Sequence, residues 1–146
     1  MSAQSPSPQS CLNVERDGLI KRITLQRPEK RNALNLELAT QLLLEVQRSE
    51  RDGTRLIVLR GDGKGFCSGF DLSQFPDCSA GDLLLHFVRI EQMLQAIAHS
   101  SVDTLAFLQS GNADVAMIAV APFRTINGAA GVIRAEFAKE VERGGF

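Results

Sequence analysis

Residues 61–72, GDGKGFCSGFDL, constrain what this chain can fold into more than any other stretch. They follow the apolar run Leu56-Ile57-Val58-Leu59, which has the length and composition of a buried strand. Gly61, Gly63, Gly65 and Gly69 crowd the strand exit, where glycine lets a backbone turn sharply and present its N–H groups closely to a ligand. Phe66, Phe70 and Leu72 are too apolar for a merely solvated loop. Two readings stay open on this chemistry alone. One is a ligand-binding loop; the other is a long surface turn with Phe66 and Phe70 folded back onto the core.

Two familiar phosphate-binding patterns do not fit. A P-loop needs Gly-Lys followed by Ser or Thr, whereas Lys64 is followed by Gly65. A dinucleotide fingerprint starting at Gly61 or Gly63 would need glycine where Phe66 or Ser68 stands, and Pro76 interrupts the helix that should follow.

The flanking sequence sets the architecture around this loop. Residues 11–26 read as a hairpin, with partial period-two alternation through Leu12, Val14, Leu19, Ile20, Ile23 and Leu25 and a two-residue turn at Asp17-Gly18. Arg27-Pro28 ends the second strand. Asn35 is a good helix N-cap and Glu37 places charge in the first turn. Leu36, Ala39, Leu43 and Val46 fall on one helical face, so a helix is expected from Leu36 to about residue 50, stopped by Asp52-Gly53. A strand over 55–60 leads into the glycine loop. Beyond it, Ser79 and Asp82 form a capping box for a second helix, whose stripe Leu83, Phe87, Ile90, Leu94 and Ile97 is expected in the core. A further strand is expected over 102–108, and a short buried helix over 115–121, stopped by Pro122.

The balance of residues narrows the partner classes. The chain has 146 residues, one domain's worth, with 44% hydrophobic residues and a formal net charge of -1, so no basic surface argues for nucleic acid. No stretch reaches the roughly 18 apolar residues of a membrane span. Cys11, Cys67 and Cys78 are odd in number and lack Cys-x-x-Cys spacing, and residues 1–10 form a Ser/Pro/Gln tail, expected to be disordered, without the features of a secretory signal. A reducing cytoplasm is the expected compartment. His86 and His99 stand apart from any ligand cluster and read as surface or capping residues, so no metal is expected.

Phe66-Cys67-Ser68-Gly69-Phe70-Asp71-Leu72 resembles the first signature of the enoyl-CoA hydratase/isomerase (crotonase) superfamily, F-[CSA]-[SA]-G-x-D-[LI], at every position. Upstream, Arg27-Pro28-Glu29-Lys30-Arg31-Asn32-Ala33-Leu34-Asn35 is similar to the family's RPxxxNALN segment. The resemblance implies an α/β fold, a partial crotonase-like ββα superhelix over 11–146 that is incomplete at its C-terminus. It implies no permanently bound cofactor, coenzyme A as part of the substrate, an acyl-CoA thioester as partner, and homo-oligomers if the C-terminal region is supplied.

The chemistry implied is stabilisation of a thioester enolate by two backbone N–H groups, those of Ser68 and Ala113, with Arg31, Ala33, Phe66, Ser68, Gly69, Phe70 and Asp71 around the coenzyme A moiety. The second signature departs from the family pattern at residues 109–116: Asp114 replaces a glycine and Ala116 replaces a carboxylate used by many hydratases. Residues 137–144 are weakly similar to a later motif that would make Glu140 the second catalytic carboxylate. The same stretch, with Glu136 and Glu142, also reads as a solvated helical face. Three outcomes follow: an acyl-CoA hydratase or isomerase, a catalytically inactive acyl-CoA-binding or partner-binding remnant, or a truncated product.

Overall fold

The computed structural model of the chain describes residues 10–109 and 115–119. Strands β1 (Leu12–Asp17) and β2 (Ile20–Leu25) pair antiparallel from Leu12↔Leu25 to Asp17↔Ile20. This register makes Gly18 and Leu19 the loop residues, one position later than expected. It carries Leu12 and Leu25 together into the core, which outweighs the local preference for Asp-Gly at the turn. Ser10, assigned to the tail by its sequence, is tied in by its hydroxyl, which donates to Leu12 O at 2.7 Å.

Helix α1 (Leu36–Ser49) starts where Asn35 predicts, its side-chain oxygen accepting the Leu38 N–H at 2.8 Å. The chain returns as β3 (Leu56–Gly61), parallel to β2. After a 3-10 turn over Leu72–Asp77 and helix α2 (Ala80–His99), it returns again as β4 (Asp103–Gln109), parallel to β3. Parallel neighbours require crossovers of this length, and the two helices supply them. Ser79 and Asp82 cap α2 reciprocally: the hydroxyl accepts Asp82 N–H at 3.1 Å and donates to the Asp82 carboxylate at 2.6 Å.

Both helices lie on one face of the sheet. Leu38, Leu42 and Val46 of α1 and Ile90, Met93 and Ile97 of α2 pack with Ile23, Leu25, Ile57 and Leu59 in one continuous cluster. On the opposite face Leu56, Val58, Leu105 and Phe107 form a second buried cluster, so the central strands are apolar on both sides.

Two expectations are corrected here. The buried face of α2 is centred on Ile90, Met93 and Ile97, leaving Phe87 and Leu94 exposed. The helix carries apolar residues on two overlapping stripes, and packing against α1 selects the one containing Met93. Secondly, Val115–Ala119 is a strand, β5, antiparallel to β4 from Gln109↔Val115 to Leu105↔Ala119, and not a helix. The free edge of β4 offers a row of N–H and C=O groups, while five residues nucleate a helix poorly. The sheet order is therefore β1-β2-β3-β4-β5. Ala113 and Glu140 lie outside the described residues.

Candidate functional site

Two segments meet at the C-terminal ends of β2 and β3: residues 27–35, which connect β2 to α1, and the glycine loop. Gly61 is required by close approach. A Cβ there would lie 2.5 Å from Gly65 O and 2.6 Å from Phe66 O, so the loop doubles back directly over the end of its strand. In the facing segment Arg31 and Asn32 both have left-handed backbones, φ 51° and 55°. Asparagine tolerates that region better than most residues, and this bend turns its side chain inward.

Asn32 is completely buried and fastens the two segments together. Its carbonyl oxygen accepts Arg27 N–H at 2.8 Å, and its amide donates to Asp62 O at 2.9 Å and Gly65 O at 3.1 Å. A second tie is the isolated parallel bridge between Leu34 and Phe70, in which Leu34 N–H donates to Gly69 O at 2.7 Å and Asp71 N–H donates to Leu34 O at 2.9 Å. Gly69 has φ 97°, while a Cβ there would meet nothing within 4 Å. Backbone conformation, not crowding, demands glycine at this point.

The Arg27 guanidinium closes the junction. Its Nη1 donates to Ala33 O and its Nη2 to Asp71 Oδ2 at 2.9 Å, an ion pair with both side chains largely buried. Asp71 also accepts from the Ser73 N–H and hydroxyl, which caps the 3-10 turn. The Ser73 hydroxyl and then the Arg27 guanidinium outweigh burial and hold the Asp71 carboxyl at about 2.

A folded value below the ordinary aspartate value of about 4 stabilises the protein above that pH and is lost as pH falls through 4 toward 2. The span amounts to about 2 kcal/mol. Urea unfolding at pH 6 and pH 2.5 should therefore show an acid loss that is reduced by about this amount in Asp71→Asn. Identical acid sensitivity in both proteins would remove the ion pair from the account.

The loop thus brings Arg31, Ala33, Phe66, Ser68, Gly69, Phe70 and Asp71 to one junction. Two of their polar groups are engaged within the junction itself. Ser68 N–H, expected to face a ligand oxygen, donates to Arg31 O at 3.1 Å, because the left-handed bend at Arg31 turns that carbonyl toward the loop. The Asp71 carboxylate is consumed by Arg27 and Ser73 and acts as an internal tie. Burial raises the Cys67 thiol despite the opposing Gly69 N–H, so it is a neutral thiol and a poor nucleophile.

The amide that flanks the Leu34–Phe70 bridge without taking part in it is that of Phe70. The bridge to Leu34 uses the groups on either side of it, and Phe70 N–H has no acceptor among the described residues. A trans peptide points its N–H opposite its own C=O, so the bond into Gly69 O aims Phe70 N–H away from Leu34. The exposed Phe70 ring packs edge-on against Phe87 of α2, with centroids 5.6 Å apart, and Phe75 lies 5.9 Å from Phe87. An N–H without an acceptor among the described residues, on a residue whose ring joins an exposed aromatic group, is an arrangement suited to a ligand carbonyl flanked by hydrocarbon.

Sequence reasoning missed Asn32 and Arg27 as organisers of the site. The available signal for Asn32 was a turn-favouring amide in a connection too short to bury polar groups without bonding them. Among the described residues no group of three or more His, Cys, Asp or Glu is placed to hold a metal ion, and no helix is long and apolar enough to cross a membrane.

Comparison with known proteins supplies the family. The family model described as enoyl-CoA hydratase/isomerase matches residues 15–110. A probable enoyl-CoA hydratase, echA6, of Mycobacterium leprae is 43% identical over 79 residues, 51% of this chain and 31% of the relative. Another, echA14 of Mycobacterium tuberculosis, is 29% identical over 119 residues, 80% of this chain and 46% of the relative. The crystal structure of enoyl-CoA hydratase from Thermoplasma volcanium superposes with a TM-score of 0.63 at 31% identity, covering 69% of this chain and 41% of that one. The chain spans less than half the length of these relatives. With the family model covering the loop, the bridge and the sheet that positions them, the chain belongs to the enoyl-CoA hydratase/isomerase family, and its α/β fold is the crotonase fold.

Proposed function

We propose that this chain binds acyl-CoA thioesters and contributes the first half of an oxyanion hole for hydratase or isomerase chemistry, with Phe70 N–H as the first donor. The Phe70 amide, without an acceptor among the described residues, carries this reading. Adding water to an enoyl thioester, or moving its double bond, passes through an enolate whose charge collects on the thioester oxygen. A fixed N–H aimed at that oxygen favours the enolate over the ground state, and one such donor is worth about a hundredfold or more in rate.

Ala113 N–H is the proposed second donor. Coenzyme A lies along residues 66–71 with Arg31 and Ala33 nearby, and no other cofactor is needed. Glu140 is the proposed proton-transfer group, working in the cytoplasm and in a homo-oligomer where the assembly completes the site. Binding without turnover is the second reading. The observation that favours it is Ala116, which occupies a carboxylate position of the family pattern and lies in β5 opposite Leu108.

One experiment separates the two: calorimetric binding and hydration of crotonyl-CoA by the purified chain and by Glu140→Gln. Hydration that falls about a hundred- to ten-thousandfold in the variant, with binding kept, assigns Glu140 as the acid or base. Binding without hydration in the wild type selects the second reading. No binding of any acyl-CoA would contradict both.

A further inference from the structure

The Phe70 amide, free among the described residues, stands at the end of a continuous hydrogen-bonded series. The Arg27 guanidinium donates to Ala33 O. The same Ala33–Leu34 peptide donates through Leu34 N–H to Gly69 O at 2.7 Å. The Gly69–Phe70 peptide then presents Phe70 N–H on its far side, so a formal positive charge is followed by two peptide dipoles aligned head to tail. Such a series polarises each successive N–H, by about 10–30% per bond in condensed-phase terms. The guanidinium is locked in place by Asp71, one residue beyond Phe70, so the clamp spans both sides of the bridge.

We propose that Arg27 is a positioning residue for thioester recognition: its guanidinium, through the Ala33–Leu34 and Gly69–Phe70 peptides, aims and polarises the Phe70 N–H toward a ligand oxygen. This rests on the reading of Phe70 N–H as the oxyanion donor. Arginine is suited because its planar fork reaches the Ala33 carbonyl and the Asp71 carboxylate at once. Lysine, a single compact ammonium, satisfies one and leaves the other weakly held.

The test compares the affinity of the full chain for butyryl-CoA with that for S-butyl-CoA, the thioether that keeps the coenzyme and the alkyl chain but lacks the carbonyl. The wild type prefers the thioester. Arg27→Lys should lower that preference about three- to tenfold, with thioether affinity unchanged, and should move the Phe70 amide proton upfield in the free protein. Circular dichroism and the thermal midpoint confirm folding.

Arg27→Met combined with Asp71→Asn avoids a stranded buried carboxylate and should behave like Arg27→Lys or more severely. A merely structural role would weaken both ligands together. Wild-type preference and an unmoved Phe70 resonance in both folded variants would overturn the relay while leaving the function intact. Equal affinity of the wild type for the two ligands would instead remove the donor reading and the relay with it.

Discussion

Asn32→Leu is expected to destabilise the protein by about 3–5 kcal/mol, a large share of the roughly 5–15 kcal/mol of an ordinary domain. Leucine is close in volume, so the cost is not a cavity. It is the loss of three hydrogen bonds that together leave Arg27 N–H, Asp62 O and Gly65 O without their partner, in a position completely shielded from water. Each stranded buried group costs roughly 1–3 kcal/mol. Leucine also disfavours the left-handed backbone at φ 55°.

Asn32→Asp should be nearly as damaging, since a carboxylate keeps the acceptor for Arg27 N–H but turns an oxygen toward two carbonyl oxygens. Urea unfolding gives the magnitude, and limited proteolysis should show cleavage appearing within residues 61–71. A change below 1 kcal/mol for Asn32→Leu would mean that the two segments are held together by something else.

Gly61→Ala should have the second-largest effect. The added methyl would sit 2.5–2.7 Å from Gly65 O, Phe66 O and Phe66 Cα, all backbone atoms, so no side-chain rotation relieves the contact. Either β3 gives up its last residue in the register with Leu25, or the loop lifts away from Asn32. Each route sacrifices one or two buried hydrogen bonds, and about 2–4 kcal/mol is the expected loss. Gly65→Ala is the matched control, because a Cβ there meets nothing within 4 Å. It should change stability by less than 1 kcal/mol, and comparable losses in the two variants would refute the close-approach explanation.

The parts of this fold legible in the sequence are those specified by neighbours in the chain. Asn35 and Ser79 announce their helices because capping is a local bond, and Leu56–Gly61 announces a buried strand because it is apolar throughout. The glycine loop could be placed for the same reason. Features settled by distant partners were less visible. Helix α2 carries two apolar stripes and only contact with α1 chooses between them. Val115–Ala119 becomes a strand because β4 presents an open edge.

The candidate site shows the same division. Its position followed from the loop signature, but the amide it leaves free depends on which carbonyls face the loop. The left-handed turn at Arg31 takes Ser68 N–H, and the bridge to Leu34 leaves Phe70 N–H. Nothing within residues 66–72 distinguishes those two amides; the distinction comes from residues more than thirty positions upstream.

The central claim is that Phe70 N–H meets the carbonyl of an acyl-CoA thioester. Amide proton and nitrogen spectra recorded while butyryl-CoA is titrated into the full chain test it most directly. The account predicts that the Phe70 amide proton moves downfield and saturates with the ligand, while Ser68 N–H, held by Arg31 O, changes little. A saturating shift at Ser68 with Phe70 unmoved would contradict it.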